Sequence, residues 1–219
     1  MTIGITLTGA DERTPISGIQ ELLDYGAEIG FLWTETPEDR NRYPSLKWIC
    51  DTVCDVHGGK LALHVCGRGA RELLHDDDSP AFMFDRIQVN GTVSVPELRR
   101  LYYRYKEQKI ITQDNSSNVT LRAFTEARSH AILVDGSGGR GITPTEWVRP
   151  NTWKNVGFAG GLGPDNLAEQ LPKIAAEAEG NWWIDAENSL RTDDWFDLDK
   201  AKRCLEIFET FTAKVQKEL

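Results

Sequence analysis

Two apolar segments in the C-terminal half of the chain run directly into residues that could do chemistry. The first, Ile132–Val134, is followed by Asp135 and by a glycine-rich stretch that ends at Gly141. The second, Phe158–Ala159, is followed by Gly160-Gly161. Because glycine lets backbone N–H groups approach an anion without an intervening side chain, both loops are suited to binding a phosphate group. A tight turn between a strand and a helix is the alternative interpretation of either loop alone.

The cysteines predict free thiols rather than a metal centre. The chain has Cys50, Cys54, Cys66 and Cys204, and the histidines nearest to them in sequence include His57 and His64. Cys50 and Cys54 lie one helical turn apart, which makes a zinc site conceivable. The paired C-x-x-C spacing typical of zinc sites is absent, however, and no second pair of ligands follows. We therefore predict no metal site.

The elements that position these residues alternate between short apolar segments and amphipathic ones. The predicted strands are Ile3–Thr8, Ile29–Trp33, Leu61–Cys66, Phe84–Val89, Ile110–Thr112, Ala131–Val134, Val156–Ala159 and Trp182–Ile184. The predicted helices are Ile16–Leu23, Leu46–Val53, Ala70–Leu74, Val95–Tyr105, Val119–Ala127, Leu167–Ala178 and Leu198–Val215. Short apolar strands of this kind are typical of parallel sheets that are buried on both faces.

This alternation predicts an α/β fold, a single-domain (β/α)8 TIM barrel that spans residues 1–219. An open, doubly wound sheet shares the alternation. The count of eight strands and the lack of one dominant glycine-rich turn at the front of the chain favour the closed barrel. In such barrels the active site is assembled from the loops that follow the C-terminal ends of the strands.

Composition and charge limit the classes of partner. The formal net charge is −9, which argues against broad binding to nucleic acid or to an anionic membrane surface. No apolar run approaches the roughly 18–20 residues that span a bilayer. The first residues lack the features of a signal peptide. We expect a cytoplasmic protein whose partner is a small, anionic molecule; the sequence predicts no particular oligomeric state.

The motifs resemble one family, phosphoribosylanthranilate isomerase of tryptophan biosynthesis, along most of the chain. The similar segments are Leu133-Val134-Asp135, Gly138-Gly139-Arg140-Gly141, Thr145-Glu146-Trp147, Asn41-Arg42-Tyr43-Pro44 and Gln88-Val89-Asn90-Gly91. The most specific similarity is Ala159 to Asn166, which repeats the Ala-Gly-Gly-Leu-x-Pro-x-Asn pattern of the family's seventh strand.

The resemblance implies an Amadori rearrangement, in which an aminoaldose becomes an aminoketose by proton transfer between side chains and substrate. It implies that Asp135 is the general acid and that no cofactor takes part. Arg42 matches the arginine that faces the anthranilate side of the substrate. The residues expected to contact substrate or phosphate are Arg42, Gly139, Gly141, Gly160, Gly161, Asn188 and Ser189.

Two positions depart from the family pattern. Thr8 stands where the family has its catalytic cysteine, and a hydroxyl has no thiolate-like state near neutral pH that could act as the base. Glu187 stands where a serine would hold the phosphate, and it places a carboxylate against a dianion. His64, Asp11 and Glu35 are the candidate replacements for the base.

Three functions fit these observations. The first is a divergent phosphoribosylanthranilate isomerase with another base; the candidate catalytic residues are then Asp135, Thr8, His64 and Glu187. The second is a barrel enzyme that acts on another small polar substrate with Asp135 and Glu187 as an acid/base pair. The third is a binding or regulatory barrel that retained the scaffold and lost the base. A hydrogen-bonded core histidine is the alternative interpretation of His64.

Overall fold

The computed structural model describes residues 2–35, 41–76, 79–126, 129–135, 137 and 140–218. Eight parallel strands form a closed barrel in sequence order, and the first strand pairs with the eighth. The strands are β1 (Ile3–Thr8), β2 (Glu28–Trp33), β3 (Lys60–Val65), β4 (Arg86–Val89), β5 (Lys109–Gln113), β6 (Ala131–Asp135), β7 (Val156–Ala159) and β8 (Trp182–Ala186). The prediction of a closed (β/α)8 barrel is confirmed.

Helices cover the outside of the barrel. They are α1 (Ile16–Asp24), α2 (Leu46–Asp55), α3 (Arg68–Leu73), α4 (Val95–Arg104), α5 (Leu167–Glu177) and α6 (Leu198–Glu218). The start of α4 shows why these segments are helical: Ser94 accepts a hydrogen bond from the backbone N–H of Glu97, and the Glu97 side chain accepts one from Ser94. No helix in the described part of the chain is long and apolar enough to span a membrane.

One connection differs from the predicted helical pattern. The helix predicted over Val119–Ala127 is a 3-10 helix, Val119–Ala123, and residue 127 lies outside the described residues. The reason is local: the side chain of Asn118 donates hydrogen bonds to the carbonyls of Gly91 and Gln113, which holds the chain in a turn. Between β6 and β7, where the sequence predicts no helix, the described residues contain none. Proline interrupts this connection repeatedly, and proline disfavours a helix interior.

The interior of the barrel has two chemically different sides. Small and apolar side chains form one cluster, which we call the apolar wall: Ile111, Ala131, Leu133, Ala159 and Trp183. Polar side chains that contact one another form the other side, which we call the polar wall: Thr6, Thr8, Glu28, His64, Arg86, Gln88 and Asp185. The larger hydrophobic core lies outside the barrel, between the strands and the helices.

The segment between β8 and α6 lies at the C-terminal end of the barrel strands. A 3-10 helix, Asn188–Leu190, leads into a short antiparallel hairpin of β9 (Arg191–Thr192) and β10 (Trp195–Phe196). The two residues at the tip, Asp193 and Asp194, have positive φ angles of 52° and 63°, as in the tight turns of two-residue hairpins. This hairpin brings Asp194 close to the mouth of the barrel.

Candidate active site

A small cavity of about 70 Å³ lies where the C-terminal ends of the strands meet. Its described lining consists of Gln88, Asn90, Gln113, Leu133, Asp135, Ser137, Gly141, Ala159, Gly160, Gly161, Asp185, Glu187 and Asn188. Three of these residues carry a carboxyl group, and none of them is a lysine or an arginine. Asp135, Gly160, Gly161 and Glu187, all candidate site residues from the sequence, therefore line one cavity.

Asp135 ends β6 and is held by the loop that follows it. The backbone N–H and the hydroxyl of Ser137 donate to Oδ1 of Asp135 at 3.0 and 2.7 Å. The hydroxyl oxygen of Ser137 in turn accepts a hydrogen bond from the N–H of Gly141 at 3.1 Å. These bonds link Asp135 to Ser137 and Ser137 to Gly141, and they orient the carboxyl group of Asp135 at the cavity.

Asp185 on β8 is the most buried of the three carboxyl groups. Side chains alternate along a strand, so Trp183 and Asp185 share the interior face, and Glu187 continues the same pattern just after the strand. The hydroxyl of Thr8 donates to Oδ1 of Asp185 at 2.6 Å. Nδ1 of His64 lies 3.9 Å from Oδ2, and no described residue donates a hydrogen bond to that oxygen.

Burial raises the pKa of Asp185 to about 7. The hydrogen bond from Thr8 opposes this shift, while the negative charges of Glu28 and Asp135 add to it. A carboxyl group with this pKa exchanges a proton readily at neutral pH, which is what a general acid or base requires.

Asp135 and Asp185 both stand opposite Ala159 in the strand register, so their backbones are two strand spacings, roughly 10 Å, apart.

Glu187 lines the cavity and contacts Arg42 across its mouth. Oε1 of Glu187 lies 3.6 Å from Nη1 of Arg42. Arg42 also donates to Oδ1 of Asn188 and to Oδ1 of Asp194, each at 3.0 Å. Burial and the nearby Asp185 raise the pKa of Glu187 to about 7, and the charge of Arg42 offsets part of this rise. Arg42 thus ties the loop after β2 to the segment after β8.

Thr8 and His64, both predicted as catalytic, lie behind the cavity lining. Both are almost fully buried, and Thr8 meets the site through its bond to Asp185. Nδ1 of His64 lies 3.2 Å from the side-chain amide nitrogen of Gln88. Burial lowers the pKa of His64 to about 4, so the ring is neutral at pH 7.

The other two candidate bases do not line the cavity in the structure. Asp11 is fully buried, and its carboxylate accepts hydrogen bonds from the backbone N–H groups of Phe196 and Arg13 and faces Arg191 at 3.4 Å. These contacts fix the hairpin after β8 against the loop after β1. Glu35 is exposed, beyond the end of β2. Neither residue contacts the carboxyl groups of the site.

The glycines predicted to bind substrate lie at the cavity, with one outside the described residues. Gly141, Gly160 and Gly161 line it, and Gly139 is not among the described residues. Gly161 has φ +57°, and a Cβ there would lie 2.6 Å from the backbone nitrogen of Thr143. Close packing of two loops therefore requires this glycine. Asn188 lines the cavity; Ser189 packs against Gly163 outside it.

Sequence reasoning missed Asp185, the residue that contacts Thr8. The signal was present, because residues two apart on a strand face the same side, and Asp185 precedes Glu187 by two positions. Gln88 and Asn90 entered only as part of a motif, yet they form the wall next to His64. Among the described residues, no group of three histidine, cysteine, aspartate or glutamate side chains is placed to hold a metal ion.

Comparisons with known proteins agree on the fold. No protein family model matches the sequence, and no curated protein is significantly similar to it. A solved structure of monomers of the dimeric phosphoribosylanthranilate isomerase from Thermotoga maritima has a TM-score of 0.69 and 14% identity, with 95% of this chain and 99% of that chain covered.

Two further solved structures give the same result. TrpF from Jonesia denitrificans has a TM-score of 0.68 and 16% identity, and the match covers 95% of this chain and 97% of that chain. A phosphoribosyl anthranilate isomerase in complex with reduced 1-(o-carboxyphenylamino)-1-deoxyribulose 5-phosphate has a TM-score of 0.65 and 14% identity, with 95% and 100% covered. The chain therefore has the (β/α)8 barrel fold of the phosphoribosylanthranilate isomerases.

Proposed function

We propose that the protein is an aldose–ketose isomerase that carries out an Amadori-type rearrangement of an aminosugar, with Asp185 as the general base. One observation carries this proposal: the Asp185 carboxylate lies 2.6 Å from the hydroxyl of Thr8. Thr8 stands at the position where the family that the sequence resembles has its catalytic thiol. A carboxylate one hydrogen bond away from that position can reach the same substrate proton.

Asp135 is assigned as the general acid, on the resemblance and on its place in the lining. Asp135 gives a proton to the ring oxygen as the C1–O bond breaks, and the nitrogen lone pair forms an iminium ion. Asp185 removes the proton on C2; that electron pair forms a C1=C2 bond, and the C=N π electrons return to nitrogen. The enolamine gains a proton at C1 and loses its hydroxyl proton, which leaves a C2 ketone and a C1 amine.

The charge of the site suits this reaction. The iminium intermediate is positively charged, and the cavity that would hold it is lined by Asp135, Asp185 and Glu187. Carboxylates aimed at a developing positive charge in a largely desolvated site stabilise it more strongly than water does. Gly141, Gly160, Gly161 and Asn188 complete the described wall, and we assign them to substrate contact.

A second candidate function is favoured by Glu187. Its raised pKa of about 7 and its place in the lining fit an acid/base enzyme in which Asp135 and Glu187 act on another small polar substrate. Replacement of Glu187 by glutamine separates the two: this second function requires the carboxyl group for turnover, whereas the Amadori proposal requires Asp185.

The test is turnover of phosphoribosylanthranilate and of its form without the 5-phosphate, with product formation followed by the purified protein. Rescue of a tryptophan auxotroph that lacks this isomerase tests the same activity in cells. Formation of the aminoketose from either substrate, lost in Asp185→Asn and kept in Asp165→Asn, would support the proposal; Asp165 is an exposed carboxylate after β7. Conversion of neither substrate would refute it.

A further inference from the structure

Among the described residues, the cavity lining offers no positive side chain to a phosphate group. Its described lining contains Asp135, Asp185 and Glu187 and no lysine or arginine. A phosphate dianion placed there would face up to three negative charges at short range in a poorly solvated space, where charge repulsion is strong. The lining is therefore built for a ligand that is neutral or positively charged at the point where it meets β8 and the loop that follows.

The terminal nitrogens of two arginines near this loop, Arg42 and Arg191, are already engaged. Both terminal nitrogens of Arg42 contact oxygen atoms, of Asn188 and Glu187 on one side and of Asp194 on the other. Arg191 is buried and donates to the carbonyls of Gly9 and Asp194. Neither guanidinium group can turn toward a phosphate without giving up these contacts.

Hydrogen-bonding chemistry leads to the same conclusion. Asp185 lines the cavity, and only 6% of the residue is exposed. Among the described residues, none donates a hydrogen bond to its Oδ2 atom. Such an oxygen can accept a hydrogen bond from a ligand that enters the cavity. Sugar hydroxyl groups donate hydrogen bonds, whereas a fully ionised phosphate only accepts them. A polyhydroxy ligand satisfies the carboxylates that a phosphate would leave unsatisfied.

We infer that the substrate is an unphosphorylated N-glycosylamine, an aminoaldose whose hydroxyl group, rather than a phosphate, meets Glu187. The inference rests on the proposed function and narrows its substrate class. The reaction is the same, but the substrate lacks the phosphate that related substrates carry. Glu187 then selects the ligand by accepting a hydroxyl proton in a hydrogen bond and by repelling a phosphate.

Calorimetry at pH 8 with a matched pair of stable ligands tests the inference. The pair is reduced 1-(o-carboxyphenylamino)-1-deoxyribulose with and without its 5-phosphate. We expect the unphosphorylated ligand to bind about tenfold more tightly or better, and Glu187→Gln to narrow this preference by about threefold or more. Asp165→Asn, which changes an exposed carboxylate outside the lining, should leave the preference unchanged.

The outcomes distinguish the inference from the proposed function. Equal or tighter binding of the phosphorylated ligand, together with turnover of a phosphorylated substrate, would overturn the inference and leave the proposed function standing. No binding of either ligand and no turnover would overturn both. If Glu187→Gln is as stable as the parent in thermal unfolding and the preference is unchanged, Glu187 does not select the ligand and the inference fails.

Discussion

The apolar wall and the polar wall of the barrel interior differ in how they are filled. On the apolar wall, shape decides: the indole of Trp183 occupies space that Gly157 leaves open, since a Cβ on Gly157 would lie 2.2 Å from an indole atom. On the polar wall, charge and hydrogen bonding decide: Glu28 forms an ion pair with Arg86 at 2.9 Å, and Asp185 accepts a hydrogen bond from the hydroxyl of Thr8. One side packs; the other keeps ionisable groups away from water.

This difference shows where the protein gives up stability to keep ionisable groups buried. Buried apolar side chains stabilise the fold through contact and removal from water. A buried carboxyl group destabilises the fold when it is ionised, unless its partners compensate fully. The raised pKa of Asp185 shows incomplete compensation. Removing the carboxyl group from the polar wall should therefore lower the proposed activity and raise stability near neutral pH, whereas disturbing the apolar wall should lower stability.

The largest expected effect is on the polar wall. Asp185→Asn should lower kcat for the proposed isomerisation by about 1,000-fold, the range for loss of a general base. The variant should fold normally because asparagine keeps the shape and still accepts a hydrogen bond from Thr8. Kinetics together with circular dichroism measure both. Retention of more than about a tenth of the parent rate would exclude Asp185 as the base.

The pH dependence of stability gives the next largest effect. The pKa of Asp185 is raised from 3.8 to about 7 in the folded state, so its contribution to stability is present below about pH 4 and is lost as the pH rises to about 7. Relative to the parent, Asp185→Asn should become more stable across this window, by on the order of 4 kcal/mol. Urea unfolding from pH 4 to 8 measures the difference.

The titration of His64 acts in the opposite direction but does not obscure that measurement. Its pKa is lowered to about 4, so the stability that it contributes is lost as the pH falls from about 6.5 toward 4, opposite to Asp185. Both proteins contain His64, so this contribution largely cancels in the difference between them. A difference between parent and variant that does not change with pH would contradict the assignment for Asp185.

On the apolar wall, Gly157→Ala should reduce the free energy of unfolding by about 1–3 kcal/mol, because its methyl group overlaps the Trp183 indole. Gly4→Ala is the matched control on the other side of Trp183. A Cβ on Gly4 would lie 3.3 Å from the Cβ of Trp183, so a smaller loss is expected. Thermal unfolding compares the two; equal losses would show that the indole does not determine the packing.

The smallest effect is expected for Thr8→Val. The hydroxyl of Thr8 lowers the pKa of Asp185, so its removal should shift the acidic limb of the kcat/KM profile to higher pH, with a several-fold lower rate near pH 6 and little change near pH 9. Thr6→Val is the control one layer deeper, where the hydroxyl contacts Glu28. An acidic limb that stays in place would contradict the role of Thr8.

Much of the fold could be predicted because it depends on local patterns. Short apolar strands between turn residues gave the eight strands, and the boundaries differ by one or two residues for most of them. The helix predicted over Val119–Ala127 was wrong because its amphipathic spacing does not show that the side chain of Asn118 bonds to two distant carbonyls. Contacts between segments override local spacing.

The candidate site was predictable only in part. Asp135 and Glu187 were identified from similarity and from the conflict between a carboxylate and a phosphate. The partnership of Thr8 with Asp185 was not, because it joins the first and last strands, and only barrel closure brings them together. The engagement of Arg42 by Asp194 was hidden for the same reason, since it depends on the hairpin that follows β8.

The pairing of β1 with β8 also has a consequence for biosynthesis. During translation β1 leaves the ribosome before β8, and one of its edges stays unpaired until β8 has been made. Unpaired strand edges invite association with other chains. The nascent protein therefore depends on some protection of this edge, by its own partly folded helices or by a chaperone, and Asp185 meets Thr8 only when the last strand docks.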